Sequence, residues 1–317
     1  MSKLKKILIL RGGFNEEHKV SINTAKQIAK ALTKLNIDFK TLTVNPDTFE
    51  KDIIKFSNKY ICFNALHGTF GEDGKLQKIL KNNRFCFTHS NHISSANCFN
   101  KLKSKKIVNK FKIITPSFEI VKCKNINSKL LNTIKKKFSK FVLKPVSSGS
   151  SHGLKIIKSN KELCVFSEEL RNFKKKFHKN EQFIIEKFIS GRELTVSVLE
   201  KNSTPQPLEV TEIVSLNKTY DYQAKYSKGY SKHFIPARIS KQNYKKCLNL
   251  ALKIHKIFKC KTLSRIDFIF NKKQNKIYFL EINSQPGMTA LSLLPEQANY
   301  QKIKFENIIL KLINNAR

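Results

Sequence analysis

LEINSQPGMTALSL, residues 280–293, is the stretch on which the reading of this chain turns. The apolar positions Ile277, Phe279 and Ile282 mark a strand that carries Glu281 and Asn283 two residues apart and breaks at Pro286-Gly287. Strand alternation sends Glu281 and Asn283 to one face. A second apolar strand upstream, Arg265-Ile266-Asp267-Phe268-Ile269-Phe270, carries Asp267. All three side chains present oxygen ligands, and hard oxygen ligands suit Mg²⁺ carrying nucleotide phosphates. Two strand ends with ordinary surface acids account for the same residues, so the metal reading needs support from the rest of the chain.

Composition sets the outer limits. At 317 residues the chain is longer than one typical domain, and 40% hydrophobic content supplies a large core. No apolar run reaches the ~18 residues of a membrane span. The opening MSKLKKILILRGG has a short, β-branched apolar run that halts at Gly12-Gly13, which reads as a first buried strand rather than a signal peptide. Seven cysteines are scattered, odd in number and never in CxxC spacing. That argues for reduced thiols in a cytoplasmic protein, against zinc or a disulfide framework. The formal net charge of +38 raises nucleic-acid binding as a possibility. Against it, lysine runs from end to end, far outweighs the arginine suited to bidentate recognition, and accompanies the Asn, Ile and Phe excess of an AT-rich coding sequence.

The first third alternates strand and helix: Ile7-Leu10, a helix capped by Ser21 and running to about Leu35, Phe39-Val44, helical Phe49-Phe56, then Tyr60-Asn64. This βαβαβ pattern predicts a parallel sheet. Neither GxGxxG nor GxxxxGK[ST] occurs, so both standard nucleotide loops are absent. From about Ser95 a basic helix (Asn97 to Lys110) leads into a small α+β unit. It holds the loop Val146-Ser147-Ser148-Gly149-Ser150-Ser151-His152-Gly153 and a helix striped by Leu163, Phe166, Leu170, Phe173 and Phe177. Strands dominate from about Glu181, with a tyrosine-rich loop (Asn217-Lys232) and a helix striped by Tyr244, Leu248, Ala251, His255 and Phe258. His255 reads as a core or rim histidine.

Lys144-Pro145 before the Gly/Ser loop, Glu186-Lys187 followed by Gly191-Arg192-Glu193, and Asp267, Glu281 and Asn283 together resemble the ATP-grasp ligases. The segments GGFNEEHKVS (12–21), ALHGTFGEDG (65–74), NKLKSK (100–105), LKPVSSGSSHG (143–153), IEKFISGRELTV (185–196), YDYQAKY (220–226), SRIDF (264–268) and EINSQPGMTALS (281–292) follow the order of the D-alanine–D-alanine ligase family. The resemblance spans essentially the whole chain.

It implies an α/β and α+β fold with three-subdomain ATP-grasp architecture. An N-terminal parallel α/β domain (1–95) would precede two α+β units that clamp ATP, a small one (96–182) and a C-terminal one (183–317). It further implies ATP and two Mg²⁺ (or Mn²⁺), D-alanine as substrate, a cytoplasmic homodimer, and no specific nucleic-acid or membrane partner. Lys101 and Lys144 would neutralise the α- and β-phosphates, with Ser150 and Ser151 in the loop that closes over them. Glu186, Lys187 and Ile189 would form the adenine hinge, and Glu193 would hold the ribose. Asp267, Glu281 and Asn283 would hold the metal ions. Arg265 and the Gly287 N–H would stabilise the oxyanion. Glu17 would anchor the first D-alanine's ammonium within a Glu17–Ser150–Tyr226 set, His67 would lie beside that substrate, and Ser292 and Leu293 beside the second substrate's carboxylate. Lys225 would reach the γ-phosphate as its loop closes. Glu72 and Asp73 read as helix-capping or supporting residues.

Three positions depart from the family pattern. Ser148 stands where an acidic residue is usual, Asn100 replaces an aspartate, and Gln223 replaces the glutamate of YDYEAKY. Three alternatives remain open on sequence: a relative using D-lactate or D-serine as second substrate, which Tyr226 argues against for the depsipeptide forms; a basic nucleic-acid-binding protein; and an inactive homologue.

Overall fold

The structure, a computed structural model, describes residues 6–150, 152–215, 230–289 and 292–316. The elements of the first third are β1 (Ile7–Gly12), α1 (His18–Lys34), β2 (Phe39–Val44), α2 (Phe49–Ile53), β3 (Ile61–Asn64), α3 (Lys75–Asn82) and β4 (Cys86–Phe87). Their strands form the expected parallel sheet, in the order β2-β1-β3-β4. β1 is buried on both faces, as its unbroken run Ile-Leu-Ile-Leu requires. Ser21 does not cap α1 but lies within it, where its hydroxyl accepts the Gly12 N–H at 2.8 Å and ties the helix to the first glycine turn.

The single basic helix expected over 97–110 is instead two helices, α4 (His92–Phe99) and α5 (Lys101–Lys110). Asn100 breaks them apart with extended backbone (φ −84, ψ 104) and caps α5 by accepting the Lys103 N–H at 2.8 Å. An asparagine does this as well as the aspartate usual in the family.

Next come β5 (Phe118–Lys122), α6 (Ser128–Phe138), β6 (Phe141–Pro145), β7 (Lys155–Ile157), α7 (Asn160–Lys175) and β8 (Gln182–Lys187). They build an antiparallel sheet, β5-β8-β6-β7. Phe141, Leu143, Phe183 and Ile185 pack on the apolar stripes of α6 and α7. Strand alternation therefore sends Val142, Lys144, Ile184 and Glu186 to the opposite, helix-free face. On sheet membership β8 belongs to this second unit, so the unit runs past the boundary expected at residue 182.

The last third holds β9 (Arg192–Lys201), β10 (Thr204–Ser215), β11 (Ser231–Phe234), α8 (Lys241–Ile257), β12 (Leu263–Asn271), β13 (Lys276–Asn283), α9 (Leu293–Tyr300) and α10 (Phe305–Asn314). Its antiparallel sheet runs β11-β10-β9-β12-β13. Val196, Val198, Ile266, Phe268 and Phe279 bury against α8. Ile7 and Ile9 of β1, Ile28 of α1, and Ile308, Ile309 and Leu312 of α10 share one core, so the first and third units are fused by packing. The second unit has a core of its own.

Candidate active site

A break in alternation places the acidic pair. On β13 the core-facing positions are Ile277 and Phe279, then Ile282, a switch from odd to even numbering. The ladder shows why: Phe268 pairs with Phe279 but Asp267 with Glu281, so Leu280 is the extra residue of a bulge. Without it, Glu281 would fall on the face of Ile277 and Phe279, inside the core. With it, Leu280, Glu281 and Asn283 all border open cavities. Straightforward alternation missed this, although the parity switch is visible in the sequence.

β12 needs no such device. Ile266, Phe268 and Phe270 take the core face, and Arg265 and Asp267 the other. Arg265 forks onto Asp267, with Nε 2.9 Å from Oδ1 and Nη2 2.7 Å from Oδ2. The Thr195 hydroxyl also donates to Asp267 Oδ1, at 2.6 Å. Across the ladder Asp267 is paired with Glu281, and Arg265 with Asn283. Lys101, at the start of α5, sits 3.7 Å from Glu281 Oε2 and donates to the Ser148 carbonyl at 2.6 Å.

These groups line two adjoining cavities. The first lies between the helix-free face of the second sheet and the open face of the third. Its walls include Val142, Ile156, Phe268, Ile269 and Leu280, its floor Glu186 and Lys144, and its rim Lys187, Ile189 and Glu193. Glu186 is buried, yet both its oxygens face ammonium groups: Oε1 lies 2.9 Å from Lys105 Nζ and Oε2 3.2 Å from Lys144 Nζ. Burial alone would raise the Glu186 carboxyl, but the two cations outweigh it and hold it below the ordinary glutamate value. Burial pushes the Lys105 ammonium down to about 8 against the pull of Glu186, and the charge of Lys144 adds to the push. Lys144 also suffers burial, but Glu186 and Glu281 more than compensate and raise it. Lys105 went unassigned on sequence, where nothing distinguishes it from its lysine-rich surroundings.

The second cavity opens between the N-terminal turns and the β13 end. It is lined by Glu17, His67, Glu72, Asn283 and Gly287, among others. The buried Glu17 carboxylate accepts the Ser150 hydroxyl, which joins the first glycine turn to the Gly/Ser loop. A Cβ at Gly149 would overlap Glu17 Oε2, so a side chain there would push the carboxylate aside from Ser150. Ser150 itself adopts φ 42, an uncommon left-handed conformation for a residue with a side chain. His67 is held from both sides, by Thr24 Oγ1 at 2.9 Å and by Glu72 Oε1 at 3.1 Å. Burial opposes protonation of His67, but its contact with Glu72 and the charge of Glu17 leave its pKa raised. Glu72 is thus a buried partner of His67, whereas Asp73 takes the turn role by accepting the Lys75 N–H at 3.0 Å.

Gln285, which sequence reading passed over, locks the two ends of this cavity together. Its Oε1 accepts from Asn64 Nδ2 at 2.7 Å, and its backbone N–H donates to Asn283 Oδ1, also at 2.7 Å. Of the remaining expected residues, Leu293 borders the first cavity. The Ser292 hydroxyl is engaged in its own turn by the Thr289 N–H at 3.0 Å and stands against Gly287. Ser151, Lys225, Tyr226 and the departure at Gln223 lie outside the described residues.

The donors fit a hard divalent cation in kind: two carboxylates and a carboxamide oxygen on one face of adjacent strands. Among the described residues no three His, Cys, Asp or Glu side chains converge as a cation site. Asp267 is gripped by Arg265 and Thr195, chiefly at Oδ1, and Oδ2 accepts only the Arg265 Nη2 bond among those described, so Oδ2 is the oxygen better placed to face a cation.

Comparison with known proteins bears on the same residues. Residues 107–314 match the family model described as D-ala D-ala ligase C-terminus. The chain is 41% identical to D-alanine–D-alanine ligase of Pelagibacter ubique over 316 residues, 98% of each chain. It is 38% identical to that of Wolbachia pipientis wMel over 311 residues, 98% of this chain and 94% of the relative. Among solved structures, it superposes on D-alanine–D-alanine ligase of Bacillus anthracis complexed with ATP with a TM-score of 0.79 at 27% identity, covering 99% of this chain and 97% of that one.

Proposed function

We propose that this chain, which belongs to the D-alanine–D-alanine ligase family, joins two D-alanine molecules into D-alanyl-D-alanine and converts ATP to ADP and phosphate as it does so. The observation that carries the reading is the junction of the two cavities. Lys101, Ser148, Gly149, Ser150, Arg265 and Glu281 line both, so a group held in one meets a group held in the other there. An apolar-walled slot with lysines at its floor suits a nucleotide, and a charged pocket with Glu17 and His67 suits a small zwitterion.

In this reading adenine packs between Val142, Ile156 and Leu280 beside Lys187 and Ile189, Glu193 meets the ribose, and Lys101 and Lys144 meet the phosphates. Glu17, held by Ser150, takes the ammonium of the first D-alanine, with His67 and Glu72 beside it. The carboxylate of that D-alanine attacks the γ-phosphorus, forming an acyl phosphate and releasing ADP. Activation is needed because a free carboxylate has a poor leaving group. The amine of the second D-alanine attacks the acyl carbon, and phosphate departs as the peptide bond forms. Arg265 and the Gly287 N–H stabilise the oxyanion of that addition, Arg265 through the guanidinium N–H groups that its fork to Asp267 leaves over. Asp267, Glu281 and Asn283 would hold Mg²⁺ or Mn²⁺, which neutralises phosphate charge when bound. Ser292 receives the second carboxylate, whereas Leu293 borders the first cavity; Lys225, Tyr226 and Ser151 keep the roles that the family resemblance implies.

Action in the cytoplasm is what the family resemblance implies; among the described residues no helix is long and apolar enough to cross a membrane. Dimer formation through the N-terminal unit rests on family resemblance, and light scattering tests it. The activity test is ADP release with D-alanine, L-alanine, D-serine and D-lactate as separate acceptors beside D-alanine. Release that depends on D-alanine alone is expected. Protein that binds ATP but turns over nothing with D-alanine would sink the proposal, and preference for D-serine or D-lactate would reassign the acceptor.

A further inference from the structure

Beneath the first cavity two lysines share one glutamate, and the two differ in what they can do. Glu186 pairs with Lys105 through one oxygen and with Lys144 through the other. Both Lys144 and Glu186 border the cavity, and the Lys144 side chain keeps 11% of its surface exposed. The Lys105 side chain has no exposure at all. It is fixed from behind by the Thr115 hydroxyl at 2.7 Å, which in turn donates to the Phe279 carbonyl at 3.0 Å. Phe279 also places its ring 5.9 Å from the Lys105 ammonium. Lys105 comes from α5, one helical turn after the cavity-facing Lys101, so one helix face delivers one visible and one hidden cation.

We propose that Lys105 is a positioning residue for phosphate recognition: it holds Glu186 as a permanent counter-ion, which frees Lys144 to move from Glu186 to an incoming polyanion. If Lys144 were the sole partner of Glu186, drawing it away would strand a buried carboxylate without a cation, which is strongly unfavourable. With Lys105 in place the carboxylate keeps a cation throughout. Lys101, Lys105 and Lys144 against Glu186 and Glu281 also leave a surplus positive charge at the cavity, to be balanced by the ligand's phosphates. The inference rests on the reading of this cavity as the nucleotide site, and it assigns Lys105 no contact with the ligand.

The test compares phosphate-bearing and phosphate-free ligands, because a residue that merely supports the fold would weaken both alike. Dissociation constants for ATP and for adenosine are measured calorimetrically in Mg²⁺ on the full chain, wild type and variants. Wild type binds ATP far more tightly than adenosine. Lys105→Met lowers that preference by about tenfold while adenosine affinity stays within about twofold, since Lys144 is now retained by Glu186. Lys105→Arg keeps most of the preference. Adding Glu186→Gln to Lys105→Met removes the carboxylate that captures Lys144, and the preference recovers. If the Lys105→Met protein does not fold, Thr115→Val loosens Lys105 without deleting a charge and lowers the preference by about threefold. An unchanged preference in Lys105→Met (in Thr115→Val where that protein fails to fold), or a further fall on adding Glu186→Gln, overturns the inference. A wild-type protein with no preference for ATP over adenosine would instead remove the nucleotide reading itself.

Discussion

The two cavities meet at six residues but are built by opposite means. The first lies between two antiparallel sheets, and alternation writes most of it: the strands turn one row of side chains to a helix-backed core and the other row to the slot, while the bulge at Leu280 brings Glu281 out of the core. The second lies between loop ends of the first and third units, where isolated hydrogen bonds such as Asn64–Gln285 and Ser150–Glu17 hold it together. Sheet faces tolerate change along a row, because neighbouring positions share the burial. A loop junction depends on each contact separately, so we expect it to be the more sensitive to single substitutions in function and the less sensitive in stability.

The largest expected effect falls on the shared residues. Arg265→Ala should lower kcat by about 10³-fold, some 4 kcal/mol, with melting temperature almost unchanged. If instead ATP affinity collapses and kcat holds, Arg265 belongs to the first cavity rather than to the junction. Next, Glu186→Leu strands two buried lysines under the first cavity and should cost about 3 kcal/mol of unfolding free energy in urea titrations. A neutral result would mean that this floor is less buried in solution than in the structure. Third, Glu17→Gln should raise the KM for D-alanine about tenfold while the ATP dissociation constant and stability hold, a loss of one charge-assisted contact. Equal losses for both ligands would break the separation between the cavities.

The last prediction is a control outside both cavities, with no effect expected on either ligand. His255 on α8 is buried, bonded to Ser264 Oγ at 2.8 Å, and burial pushes its pKa down to about 4. The unfolded chain, with an ordinary value near 6.5, binds a proton that the folded chain refuses between those two pH values. Stability is therefore full above about pH 6.5 and falls as pH drops towards 4. His255→Asn should spare about 2 kcal/mol of the loss between pH 7 and pH 5, read from denaturant midpoints at each pH. No difference between variant and wild type would place the acid sensitivity elsewhere, for instance at His89, which burial drives down to about 3.

Legibility followed the same division. The helix stripe Leu163, Phe166, Leu170 and Phe173, the strand pairs around Asp267 and Glu281, and the Gly/Ser loop could all be read, because periodicity and turn chemistry are local. Helix ends were read less well. Ser21 looked like a cap but serves a turn nine residues before it, and Asn100 looked like a helix interior position but ends one helix and caps the next. In both cases a short polar side chain had two possible backbone partners, and tertiary position chose between them.

The sequence by itself determined most strands of the three sheets (the short β4 and β11 excepted), the helix-backed faces, and the oxygen-donor and lysine residues from which a ligase of this family can be recognised, since each depends on spacing along the chain. Only the tertiary structure decided that Lys105 lies under Glu186, that Gln285 bolts the N-terminal turn to the β13 end, that Glu72 serves His67, and that the Leu280 bulge turns Glu281 out of the core. Those outcomes depend on which distant groups share a low-dielectric space, and a chain of lysines alike in sequence acquires distinct roles there only through burial and the charge that each one meets.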